Sequence, residues 1–292
     1  MKYLIFLAFL TIVPARTRFE SDAAASTPAS VPASAPAIPV LLQNVLVIGA
    51  SASAGFNYQS STKHPMVRYV NAMVKGEHRP FHSKSSEMFF LSPDRTGSDQ
   101  INEAETKKAS LVIAVDYLFW FGYGLFKNED DRLVLLARGL ELLEMLECPM
   151  VISEIPDMTP AIGIMLAKEQ VPQKETFVKL NTKIREWAAT RKNVVLVNLP
   201  ELLNRLRNGD EVEIRGNKWE KGSTQKLLQS DNLHPTPEGT AVLALLAMDA
   251  LVKNRTEIPE SSIEWDVKKI LASAKLPITP PRKPRPASSP AK

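Results

Sequence analysis

The chain predicts an α/β fold, a three-layer α/β/α domain with a parallel sheet of about five strands. Two observations carry this. Short apolar runs rich in β-branched residues recur along the chain: NVLVIG at 44–49, SLVIAVD at 110–116, PMVIS at 149–153 and NVVLVN at 193–198. They do not alternate with polar residues, which is the pattern of strands buried on both faces. Segments of helical spacing lie between them, and strands that alternate with helices build a parallel sheet through crossovers. No internal repeat competes with this reading.

The ends stand apart from the domain. Residues 1–15 read as a signal peptide: Lys2 precedes an apolar run at 3–13, and Val13-Pro14-Ala15 is the cleavage site. An uncleaved N-terminal anchor is the alternative, although the run is short for a bilayer span. Residues 16–39 form an Ala/Ser/Pro-rich linker. Residues 40–275 form the domain, long enough for a sizeable core. Residues 276–292 form a basic, Pro-rich tail expected to be disordered. Arg282, Lys283, Arg285 and Lys292 in that tail account for the whole net charge of +4. The rest is neutral overall, which excludes nucleic acid as an expected partner. The expectation is a secreted or periplasmic monomer with no transmembrane span in its mature form.

Taken in order, the first strand stops at Gly49 and runs into ASASAG. Such a small-residue loop sets N–H groups and hydroxyls at the carboxyl edge of the sheet, where open α/β folds bind ligands. Residues 65–75 place Met66, Tyr69, Val70 and Met73 on one helical face, with Pro65 suited to the first turn. EMFFLS at 87–92 reads as a strand, 93–98 as a loop and 99–108 as a helix. The strand at 110–116 leads into an aromatic cluster of Tyr117, Phe119, Trp120, Phe121 and Tyr123. An amphipathic helix at 130–146 precedes the strand at 149–154. An irregular segment follows at 155–172, with a helical turn near 162–168. A helix at 174–191, a strand at 193–198 and a short helix at 200–207 come next. Residues 211–221 alternate around Gly216-Asn217 as a hairpin. The last long helix, 237–253, has Thr236 as its cap and Pro237 at its first position.

Cys148 is the single cysteine and sits in an apolar context, so it makes no disulfide framework and reads as a core residue. His64, His78, His82 and His234 show no metal-ligand spacing with carboxylates, and no metal or cofactor is expected. Two features carry chemistry. Gly49-Ala50-Ser51 closes the first strand with a hydroxyl. Asp231-Asn232-Leu233-His234-Pro235 sets a carboxylate three residues before an imidazole, close enough to hold Nδ1 and leave Nε2 to take a proton from a serine. Taken singly, a turn serine and a surface Asp near a His are the ordinary readings. Their order joins them, with the serine at the first strand and Asp-x-x-His-Pro just before the last long helix. Ser53 is the rival nucleophile; Ser51 follows the strand-ending glycine more directly, as a nucleophile elbow requires.

VLVIGASASAGF resembles the first block of the SGNH (GDSL-like) hydrolases, with Gly-Ala-Ser where that family has Gly-Asp-Ser. DNLHPTPEGT resembles their last block. The resemblance spans about residues 44–253 and is specific at its two ends. It implies a flavodoxin-like fold and an esterase or acyl hydrolase working through an acyl-enzyme without a cofactor. The implied substrate is a small-molecule or carbohydrate ester. Ser51 is the implied nucleophile, His234 the general base and Asp231 its orienting partner. The family's oxyanion hole uses the nucleophile's own N–H, a glycine N–H from a second block and an asparagine side chain from a third. Ser51 supplies the first. Gly97 in DRTGSDQ is the candidate for the second, with a plain turn glycine as the alternative. In place of the third block stands VDYLFW at 115–120, which has no asparagine. Asp116 and Trp120 are candidate substrate contacts. Holding the active-site loop in place and capping the following turn are the alternatives for Asp116, and a place in the core is the alternative for the aromatics. A catalytically weak or inactive binding or scaffold protein on the same fold stays open beside the enzyme.

Overall fold

A computed structural model describes residues 38–275. The expected signal peptide, nearly all of the linker and the basic tail lie outside the described residues. The predicted parallel sheet is present. Its strands are β1 (Val45–Val47), β2 (His82–Ser83), β3 (Leu111–Ala114), β4 (Met150–Ser153) and β5 (Val194–Val197). They pair in the order β2-β1-β3-β4-β5, all parallel. This is the flavodoxin-like order, whose switch point falls between β1 and β3. β1, β3 and β4 are buried at every residue, which is why they show no alternation; β5, at an edge, alternates.

The helices in chain order are α1 (Ser51–Ala54), α2 (Met66–Met73), α3 (Pro93–Lys107), α4 (Phe119–Gly122), α5 (Glu129–Glu144), α6 (Lys174–Ala189), α7 (Leu199–Asn208), α8 (Pro237–Asn254) and α9 (Val267–Ala274). α2, α8 and α9 pack together as one layer, and α3, α5 and α6 as the other. α8 is apolar nearly all round because it lies on β4 and β5 and against α2 and α9. It starts where the sequence says: the Thr236 hydroxyl accepts the Gly239 N–H at 3.1 Å. Among the described residues no helix is long and apolar enough to cross a membrane.

Several elements differ from expectation. EMFFLS is no strand; Phe89–Leu91 is a 3-10 turn. Phe89 is buried edge-on to Tyr117 and Phe121, while Phe90 and Leu91 are exposed, so the apolar triplet does not follow a two-faced pattern. The edge strand is β2 instead, two exposed polar residues held by pairing with Leu46 and Val47. The loop expected at 93–98 is the start of α3, which opens on Pro93, a residue suited to a helix's first position. The 211–221 hairpin forms as β6 (Val212–Ile214) and β7 (Asn217–Trp219), with its turn one residue earlier than expected. Arg215 and Gly216 both take positive φ (51° and 76°), as a two-residue hairpin turn of this hand requires. The helical turn near 162–168 gives way to 3-10 turns at Thr159–Ala161 and Lys168–Gln170. α9 was not expected; Asp266 caps it by accepting the Lys268 and Lys269 N–H groups.

Candidate active site

The loop after β1 is fixed from two sides. Gly49 has φ 138°, and a Cβ there would stand 2.0 Å from Asp116 Oδ1, so only glycine fits. Gln100 on α3 clamps the same residue, accepting the Gly49 N–H at 2.8 Å and donating to its carbonyl at 2.9 Å. The chain then enters α1, one turn that begins with Ser51 and closes at Gly55 in the left-handed region.

Asp116 reaches this turn from the end of β3, across the switch point. Its Oδ1 accepts the Ala50 N–H at 3.0 Å and the Ser53 hydroxyl at 2.5 Å, and its Oδ2 accepts the Ser53 N–H at 3.0 Å. Burial raises this carboxyl above its ordinary range, and the bonds from the Ser53 hydroxyl and the loop amides offset only part of that rise. Asp116 holds the active-site loop in place, one of the roles the sequence leaves open to it, and it also lines the cavity beside Ser51. Ser53 is fully buried with its hydroxyl on Asp116, which removes it as a rival nucleophile.

The second half of the site is a closed loop before α8. Leu228 bridges to Pro235, and the Gln229 N–H donates to the His234 carbonyl at 2.9 Å. Asn232 takes φ 58°, a conformation that Asn tolerates better than most residues. Asp231 Oδ1 accepts the Leu233 and His234 N–H groups at 3.0 Å each, and Oδ2 lies 2.7 Å from His234 Nδ1. His234 Nε2 lies 2.8 Å from Ser51 Oγ. Asp231 is fully buried and His234 nearly so. Burial by itself would raise the Asp231 carboxyl. The bonds from the His234 ring, the His234 N–H and the Leu233 N–H outweigh it and hold the carboxyl below its ordinary range. An ionised Asp231 fixes the tautomer: Nδ1 carries the proton and donates, and Nε2 is left to accept from the Ser51 hydroxyl.

Residues outside both motifs tie the loops together. Gln229 accepts the Tyr58 N–H at 2.7 Å and donates to the carbonyls of Phe56 (2.9 Å) and Pro235 (2.7 Å). His64 Nε2 donates to the same Pro235 carbonyl at 3.2 Å. The Phe56 ring lies against the His234 imidazole, centroids 4.5 Å apart. Gln100, Gln229 and His64 act across the fold, and no local sequence pattern marks them.

The oxyanion side is sparser. Gly97 is corrected: it lies inside α3, beyond the Thr96 N–H that makes the helix's first bond to Ser92, so its own N–H belongs to the helix ladder. It is a close-packing glycine; a Cβ would stand 2.7 Å from the Tyr117 hydroxyl and 2.9 Å from Phe121. Trp120 is also corrected, since it is buried among Phe90, Phe119 and Tyr123, and Phe119 lines the cavity in its place. Of residues 115–120, only Asp116 brings a polar side chain to the cavity, and it is an acceptor. The Ser51 N–H, first in α1, meets no acceptor among the described residues and is the donor available to an oxyanion.

Ser51 and His234 open into a cavity of about 70 Å³. Among the described residues no group of three or more His, Cys, Asp or Glu is arranged to hold a metal ion.

No family model and no curated protein sequence matches the chain. Solved structures similar to it include a gut microbial diltiazem-metabolizing enzyme, at 15% identity over 71% of this chain and 46% of that one, TM-score 0.44. The chain thus spans less than half of that protein. A lipase/acylhydrolase from Enterococcus faecalis is similar at 15% identity over 73% of this chain and 97% of that one, TM-score 0.46. A catalytic mutant of an acetylxylan esterase from Geobacillus stearothermophilus is similar at 14% identity over 73% and 93%, TM-score 0.45.

Proposed function

We propose that this protein is a serine hydrolase of SGNH type that cleaves carboxylic esters through an acyl-enzyme. The observation that carries the reading is the unbroken chain from Asp231 through His234 to Ser51, with contacts of 2.7 and 2.8 Å. Ser51 Oγ attacks the ester carbonyl while His234 Nε2 takes its proton. Asp231 stabilises the imidazolium that results. The oxyanion of the tetrahedral intermediate takes the Ser51 N–H. As the carbon–alkoxy bond breaks, His234 returns the proton to the leaving alcohol. Water then repeats the sequence on the acyl-enzyme, His234 acting again as base, and releases the acid and free Ser51. Export belongs to the proposal as well and rests on residues 1–15.

The oxyanion side favours one second reading. An oxyanion donor is typically worth about 10²–10³ in rate. A site with the Ser51 N–H as its visible donor fits a slow enzyme, or a binding protein that keeps the fold. Fluorophosphonate labelling and p-nitrophenyl butyrate turnover, wild type against Ser51→Ala, separate the two. The hydrolase reading expects both signals to vanish in the variant. Turnover and labelling that persist without Ser51, or that are absent from the wild type, reject it.

A further inference from the structure

The wall of the cavity beside Ser51 is made of leucine. α7 reads LPELLNRLRN, and Leu199, Leu202, Leu203 and Leu206 recur at the spacing of one helical face. That face is turned to the cavity, which Leu227 and Leu243 help to close. The polar groups in the wall are already engaged. Asp116 is held by the nucleophile loop. The Ser153 hydroxyl donates to the carbonyls of Val115 and Glu154, and the Glu154 carboxylate is paired with Arg185. Beyond Ser51 and His234, no side chain in the wall has a free donor to offer the oxygens of a sugar.

We infer that this cavity is an acyl-chain pocket and that the substrate is an ester of an aliphatic acid longer than acetic acid. The inference rests on the hydrolase reading above and narrows it. Of the two halves of an ester, the acyl half stays attached to Ser51 through two steps and is the half that an apolar recess beside Ser51 can hold. The alcohol is protonated by His234 and must escape through the mouth. The alcohol half, a sugar or any other, therefore lies outside the leucine wall and is not selected by it.

The test uses the full chain with p-nitrophenyl acetate, butyrate, octanoate and dodecanoate. Burying one methylene is worth about 0.8 kcal/mol, so kcat/KM is expected to rise roughly fourfold per methylene while the chain still finds room. A parallel series of alkyl acetates, ethyl to octyl, is expected to stay flat. Leu203→Trp, which fills the wall, is expected to lower the octanoate-to-acetate ratio at least tenfold. This ratio is internal to each preparation and does not depend on how much of it folds. Acetate turned over as well as octanoate, or a rise confined to the alkyl acetates, overturns the inference while leaving the hydrolase reading intact. Displacement of a fluorescent fatty acid by dodecanoate from Ser51→Ala separates the two claims in the other direction. Binding there without turnover in the wild type keeps the pocket and sinks the chemistry; no binding sinks the pocket.

Discussion

Gln229 holds the nucleophile loop and the base loop together with three hydrogen bonds, and Gln229→Glu tests that role. The introduced glutamate is nearly isosteric and keeps an oxygen for the Tyr58 N–H. Its second oxygen, however, faces the carbonyls of Phe56 and Pro235, which the amide now meets at 2.9 and 2.7 Å. Two hydrogen bonds at about 1 kcal/mol each are lost. A carboxylate oxygen left without a donor in a site only 9% exposed adds about 2–3 kcal/mol. The expected destabilisation is thus about 4–5 kcal/mol at pH 7.5. Gln229→Ala loses all three bonds but leaves no buried charge, and Tyr58 is exposed enough for water to reach its N–H. It should cost about 2–3 kcal/mol. In both variants the contact between Ser51 and His234 loses its brace, and a misplacement of about 1 Å is worth roughly 10²-fold in rate. The glutamate variant also gains a pH signature. Its carboxyl is raised in the folded state, so the folded protein holds the proton more tightly than the unfolded one. The deficit should therefore be small below about pH 4 and complete by about pH 7.5. Urea unfolding at pH 4, 5.5 and 7.5, with kcat/KM on p-nitrophenyl butyrate at pH 7.5, reads each of these. If Gln229→Glu unfolds within about 0.5 kcal/mol of wild type at pH 7.5, or Gln229→Ala keeps kcat/KM within about twofold, the bracing argument is wrong.

Asp231→Asn should lower kcat by about 10⁴ at pH 7.5, because the asparagine no longer fixes the productive tautomer of His234. The same substitution reads acid stability. The depressed carboxyl of Asp231 contributes stability above its unfolded pKa of about 3.9, and loses it as pH falls through the lower folded value. The gap in unfolding free energy between wild type and variant should hold steady above about pH 5 and narrow as pH falls below the unfolded pKa of about 3.9. Gly97→Ala would ordinarily stabilise a helix interior by about 1 kcal/mol. Here the methyl would meet the Tyr117 hydroxyl and Phe121 inside 3 Å, so a net loss of about 1–2 kcal/mol is expected in thermal unfolding; a gain would show that the aromatics yield freely.

The fold was legible where burial writes a simple pattern. β1, β3, β4 and β5 announce themselves as apolar runs because helices cover them, whereas β2 is two polar residues whose only credential is pairing with β1. Asp231 and His234 were legible because they share one short loop, so their meeting needs no knowledge of the sheet. Asp116 was visible as an unusual acid at a strand end. Its work on Ala50 and Ser53 depends on β1 and β3 being neighbours, which spacing alone does not state. Gly97 was misplaced because α3 starts at Pro93, six residues before its amphipathic stretch becomes readable. The choice between Trp120 and Phe119 turned on one helical turn, α4, that decides which ring faces the cavity. The leucine spacing of α7 was on the page from the start. What the sequence does not carry is whether that face meets the core or an open space beside Ser51.

Ser51 and His234 stand 183 positions apart along the chain. A ribosome adding about 5–20 residues per second needs roughly 10–40 s to travel from one to the other. Throughout that interval the nascent protein carries a serine with the reactivity of any alcohol. α8, which follows His234 and lies on β4 and β5, is not yet made. On the proposed hydrolase reading, arming coincides with the meeting of the two loops: chains interrupted before Asp231 would be inert, and hydrolysis would report that both ends of the domain have met.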